Sequence, residues 1–172
     1  TVNAELRVGT VEETVTVTIR EPVTEIVLNA AELAIQAVSI RDAAGTVVQG
    51  SAVLEEAQER ARLLFPSALA PGEWRLTLAF TGTLNDRLRG FYRSTYKDAA
   101  GVTHTIAATQ FEATDARRAF PCWDEPAGKA VFSVTLVVPA GLAAISNTAV
   151  VSEEPAEGGR RNPTLPLDPG QV

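Results

Sequence analysis

The run Thr109 to Pro126, T-Q-F-E-A-T-D-A-R-R-A-F-P-C-W-D-E-P, concentrates the chain's reactive side chains. It holds an amide (Gln110), four carboxylates (Glu112, Asp115, Asp124 and Glu125), the adjacent pair Arg117 and Arg118, and Cys122, the sole cysteine. Gln110 and Glu112 are two positions apart, so a persisting strand places them on the same side and presents amide and carboxylate together. A carboxylate at a cleft edge pairs with an ammonium group, a charge-assisted contact of about 1.5–3 kcal/mol when well made. Residue type alone favours the plainer reading, in which Glu112 is a solvated turn residue or a partner of Arg117.

The inventory narrows the catalytic options. His104 is the sole histidine, and it falls in an expected strand, so an all-protein zinc site would have to lean on carboxylates and Cys122. There is no H-E-x-x-H, C-x-x-C, G-x-S-x-G or phosphate-cradling glycine loop. A nucleophile pair of Cys122 and His104 would need special geometry and is set aside. We assign no catalytic and no metal-binding residue, and no cofactor, to this chain; recognition chemistry remains.

Composition agrees. With 15 basic against 21 acidic residues the formal charge is −6, no footprint for phosphate backbones or anionic membranes. Neither nucleic acid nor a membrane is therefore an expected partner. No apolar run approaches the roughly 20 residues that span a bilayer, and the first residues lack a basic segment followed by an apolar one. A lone cysteine forms no internal disulfide and leaves the compartment open; our working expectation is cytoplasmic. The 172 residues suffice for one packed domain.

The elements that must position this segment read as strands. Val15, Val17 and Ile19 alternate with threonines, and a second strand runs from Thr24 to Leu28, ending at Asn29. β-Branched residues make Leu33 to Ile40 extended, paired through the Asp42–Gly45 turn with Val47 and Val48. Glu55 to Arg62 is helical by propensity, although a meander would place a strand there. After the Pro71–Gly72 turn, Trp74, Leu76, Leu78 and Phe80 alternate with polar or small residues, the clearest strand in the chain. Gly90 to Tyr96 and Val102 to Thr109 form a hairpin that delivers Gln110 to Glu112 at a strand end. Thr114 is the expected N-cap of a short helix through Arg118, and Val131 to Val138 is a further strand. Beyond Ser152, four prolines and three glycines predict a mobile tail with little to bury. The fold class is all-β, a mainly antiparallel β-sandwich or saddle with one or two short helices. The domain is expected to cover residues 1–154 and the tail 155–172.

The central run, with V-F at Val131 and Phe132 beyond it and G-F-Y-R-S-T-Y at Gly90 to Tyr96 before it, resembles the N-terminal domain of the aminopeptidase N family. That family comprises gluzincin zinc aminopeptidases and includes the puromycin-sensitive enzyme. Val27 to Ala30 with Glu32 and Leu33, and Ala143 to Val151, resemble it too, so the likeness covers about Thr14 to Glu154. It implies that Glu112 reaches into the active-site cleft and helps hold the substrate's free α-amine, and that Gln110 lines the pocket for the first side chain. It implies structural work for the rest: Phe120, Trp123 and Phe132 as core, Asp115 or Asp124 as partners of Arg117 or Arg118, Pro121 and Pro126 as rigid turns. Cys122 is expected to pack as a small apolar residue and His104 to be strand-facing or exposed.

The family's G-A-M-E-N segment and its H-E-x-x-H with a downstream glutamate belong to a following catalytic domain and do not occur here. Zinc, activated water and general base are thus expected outside this chain. Beyond Gly159 the family continues with another strand, where this chain has Arg160-Arg161-Asn162-Pro163, so the closing strand is open to question. The reading is a fragment or truncated product of a zinc aminopeptidase, inactive alone, whose partners are the peptide N-terminus and the missing catalytic domain. An apolar face left exposed would support a homodimer. The rival reading is a stand-alone β-sandwich that binds a protein partner.

Overall fold

A computed structural model describes residues 9–139 and 141–167, which fall into two compact units, one up to Glu125 and one from Pro126 on. In the first, β1 (Val11–Ile19), β2 (Val23–Asn29), β3 (Leu33–Asp42), β4 (Val47–Glu55), β5 (Arg60–Leu69) and β6 (Gly72–Gly82) form one sheet in the order β1-β6-β3-β4-β5-β2. Every pairing is antiparallel. The clear alternation of Trp74, Leu76, Leu78 and Phe80 lies on β6, paired on both sides, and all four side chains are buried.

The core joins Ile19 of β1, Leu28 of β2, Val38 and Ile40 of β3, Ala61, Leu63 and Phe65 of β5 and the β6 row in a single cluster. Strands at opposite ends of the sheet share that cluster, so the sheet curls and closes its apolar face upon itself. In β3 the register shifts between Ile35 and Ala37. That bulge moves the inward positions from Leu33 and Ile35 to Val38 and Ile40, so the apolar residues stay inside although their spacing breaks the period of two.

Glu55 to Arg62 divides: β4 ends at Glu55, a 3₁₀ turn covers Glu56–Gln58, and β5 starts at Arg60. Helical propensity there is satisfied by one turn before pairing takes over. The hairpin β7 (Gly90–Lys97) and β8 (Thr103–Gln110) is a separate two-stranded sheet, with the pairs Phe91 and Thr109 through Lys97 and Thr103 in register.

In the second unit β9 (Phe132–Thr135), β10 (Val138–Pro139) and β11 (Ser152–Ala156) all pair with β12 (Arg160–Leu167). The single strand expected from Val131 to Val138 is interrupted between β9 and β10, where Leu136 N–H donates to the Pro163 carbonyl at 3.1 Å. The expected proline-rich tail instead supplies two of the four strands. Its prolines lack an N–H yet keep their carbonyls, and Pro163 and Leu165 are buried. The last described strand is thus present despite the unpromising Arg-Arg-Asn-Pro sequence.

Candidate functional site

The β7–β8 hairpin carries the segment of interest. At its tip the Asp98 carboxylate accepts N–H donors from Ala100 and Val102, each at 2.9 Å. Its other oxygen contacts His104 Nε2 at 2.8 Å, and these hydrogen bonds, the His104 one foremost, hold the Asp98 carboxyl below its ordinary range. His104 is exposed and stacks on its cross-strand neighbour Tyr96, with ring centroids 5.2 Å apart.

At the other end Gln110 pairs with Gly90 and is the last residue of β8. The strand does not persist: Phe111 leaves it, and Glu112 begins a turn. The two side chains therefore do not share a strand face by alternation; their relation is set by the turn. That turn is pinned at both ends. Phe111 packs its ring edge-on against Phe120, with centroids 5.7 Å apart, and its carbonyl accepts the Asp115 N–H at 2.8 Å. Gln110 and Glu112 are both exposed, and among the described residues neither side chain makes a hydrogen bond or ion pair.

Behind the turn lies a charge cluster. A 3₁₀ turn covers Ala116–Arg118, with Asp115 rather than the expected Thr114 at its N-cap, and Asp115 makes no side-chain cap because its carboxylate is taken by Arg118 Nε at 2.8 Å. Arg118 also donates to Glu32 at 2.6 Å and to Glu59. Arg117 reaches Asp124 at 2.9 Å and Glu59 at 3.3 Å, and Glu32 is shared with Arg87. The Arg117 and Arg118 side chains are only 13% and 10% exposed. Burial pushes both guanidinium groups down, but the surrounding carboxylates outweigh it and hold them above the ordinary range. Removing either guanidinium would leave its carboxylates without their shared cation, which is destabilising.

The following stretch is stitched to the sheet by its backbone. Asn29 N–H donates to the Cys122 carbonyl at 2.7 Å, Cys122 N–H returns to Asn29 at 3.0 Å, and Asp124 N–H donates to Asn29 Oδ1 at 3.2 Å. Pro121 is buried and Phe120 packs against the core. Trp123, expected as core, is 47% exposed, whereas the carboxylate of its neighbour Asp124 is drawn to the largely buried Arg117. Phe132, also expected as core, is half-buried in the second unit. Burial pushes the Cys122 thiol up to about 12, with Asp124 and Glu13 adding to the shift and Arg117 opposing it, which favours the neutral thiol at neutral pH.

Sequence reasoning missed Glu32, Glu59, Arg87 and Gly90. Glu32 and Glu59 adopt positive φ, at 58° and 51°, and no local pattern marks a glutamate for that role. Among the described residues no three of His, Cys, Asp and Glu gather where they could hold a metal ion. No helix among them is long and apolar enough to cross a membrane.

The described chain is thus an all-β protein whose curled sheet carries a pinned turn bearing an exposed carboxylate that is unpaired among the described residues. The chain belongs to the Peptidase M1 N-terminal domain family, whose model matches residues 2–164. It is 48% identical over 147 residues to Aminopeptidase M1-D of Oryza sativa subsp. japonica, covering 83% of this chain and 16% of that protein. It is 43% identical over 152 residues to the puromycin-sensitive aminopeptidase of Caenorhabditis elegans, covering 86% of this chain and 16% of that protein. The alanine/arginine aminopeptidase of Saccharomyces cerevisiae is 49% identical over 108 residues, 60% of this chain and 12% of its own length. The chain thus spans about one sixth of the length of such relatives.

Proposed function

We propose that this chain is the substrate-recognition and active-site-covering domain of an aminopeptidase that removes N-terminal residues from peptides. Zinc and the groups that activate water are supplied by a catalytic domain outside these residues, and the chain alone is inactive. A cytoplasmic location belongs to the same proposal.

The observation that carries it is the state of Glu112. In a segment where Asp115 and Asp124 are both bound to arginine, Glu112 is exposed and unpaired among the described residues, on a turn anchored at Phe111 and Asp115. A preorganised carboxylate of this kind binds a substrate α-ammonium through charge-assisted hydrogen bonds without first breaking an internal pair. An exopeptidase must count from the chain terminus, and a blocked amine would leave that carboxylate desolvated and unmatched. Gln110, at the strand end beside it, offers both donor and acceptor to the first residue.

In the full-length enzyme, Glu112→Gln is expected to raise KM or lower kcat/KM at least about tenfold for peptides with a free amine, the equivalent of losing about 1.4 kcal/mol. Gln110→Ala is expected to change the ranking of first residues instead. An unchanged kcat/KM for Glu112→Gln would sink the assigned role. In the second unit Val131, Leu142, Ile145 and Val151 are exposed; we assign this apolar surface to contact with the remainder of the enzyme, and the isolated chain is expected to self-associate through it. A concentration-independent monomer by light scattering would count against that.

A further inference from the structure

We propose that Arg118 is the positioning residue for Glu112; this rests on the amine-recognition reading above and names the group that makes it possible. Arg118 touches both sides of the recognition turn. Its Nε holds the Asp115 carboxylate at 2.8 Å, and the Asp115 N–H closes the turn on the Phe111 carbonyl, also at 2.8 Å. Its Cβ lies over Gly90, which is the β-ladder partner of Gln110. The far end of the same guanidinium reaches Glu32, just before β3, and Glu59, just before β5. One planar fork therefore ties the Gln110–Asp115 turn to the six-stranded sheet.

Three features separate this from generic packing. The Arg118 side chain is 10% exposed and engages three carboxylates at once, a geometry that the single ammonium of lysine cannot reproduce. Both remote anchors hold a left-handed backbone conformation, and a non-glycine residue keeps such a conformation only where its surroundings over-determine it. Its neighbour Arg117 is about as buried and shares Glu59, but its closest carboxylate is Asp124 and it reaches neither Asp115 nor Gly90, so it serves as a comparison for the contacts to the turn.

The test is a double-mutant cycle in the full-length enzyme, using peptides with a free amine. Arg118→Lys is expected to raise KM about tenfold with kcat changed less than about twofold, because what is lost is binding held equally in ground and transition state. Glu112→Gln with Arg118→Lys is expected to match Glu112→Gln alone, since Arg118 acts through Glu112. Arg117→Lys is expected to lower the unfolding midpoint while leaving KM unchanged. Should Arg118→Lys not fold, Glu32→Gln, which weakens the exposed third anchor of Arg118 together with the Arg87 pair, carries the same test with a rise of about threefold, Arg87→Gln serving as its control. A raised KM for Glu112→Gln beside an unchanged KM for Arg118→Lys, or fully additive effects in the double variant, would overturn the positioning role while the amine reading stands. An unchanged kcat/KM for Glu112→Gln would overturn both.

Discussion

Gly90 and Arg118 approach so closely that a β-carbon built on Gly90 would lie 2.6 Å from the Arg118 Cβ. Gly90 also has φ +68°, so two independent constraints exclude a side chain at the point where the β7–β8 hairpin meets the charge cluster. The contact joins a backbone position in β7 to the residue that gathers Asp115, Glu32 and Glu59.

Gly90→Ala is accordingly expected to destabilise the chain by about 2–4 kcal/mol, combining left-handed strain with overpacking. Gly45→Ala is the comparison: φ there is +92°, but nothing lies within 4 Å of the added carbon, so about 1 kcal/mol is expected. Urea unfolding midpoints of the two variants measure the difference. Equal losses would show that the Arg118 contact is not decisive.

Glu13 sets a pH dependence. It sits on the inward side of β1 with Oε2 buried and without a hydrogen-bond partner among the described residues, and burial raises its pKa from 4.5 to about 7. The folded chain keeps a proton that the unfolded chain releases as pH rises from about 4.5 to 7, so stability falls across that window and the loss is complete above it. The size is on the order of 1–3 kcal/mol. Glu13→Gln is expected to match the native chain near pH 4 and to exceed it at pH 8. Parallel pH–stability curves for the two proteins would refute this.

Cys122 is expected to resist alkylation. With its thiol pushed up to about 12, the thiolate fraction at pH 8 is at least about a hundredfold below that of an unperturbed cysteine. Iodoacetamide should label the folded chain slowly and the urea-unfolded chain rapidly, as followed by mass. Equal rates would mean the thiol is not held in its buried setting.

Most of the large sheet is legible in the residues because its strands obey a local rule. Trp74 to Phe80 alternate, and so do Val15 to Ile19, since each strand lays one face on a common core. The hairpin is equally readable from its turn residues and aromatic run. Local rules fail where partners are distant. Pro155, Pro163 and Pro166 argue against strands, yet β11 and β12 form because carbonyl acceptors and neighbouring strands complete the ladder. Trp123 looks like core by type yet is exposed, whereas the carboxylate of its neighbour Asp124 is drawn to Arg117.

By itself, then, the order of residues determined the all-β class, the β7–β8 hairpin and the neighbourhood of Gln110 and Glu112. These follow from alternation, turn chemistry and a specific motif, all local in the chain. Only the tertiary structure decided that β8 stops at Gln110, that Glu112 stands unpaired on a pinned turn, and that Arg118 collects Asp115, Glu59 and Glu32 from three places in the chain. The physical reason is range: pairing periodicity is written within a few residues, whereas a buried guanidinium takes its partners from whichever carboxylates the closing sheet brings within about 3 Å.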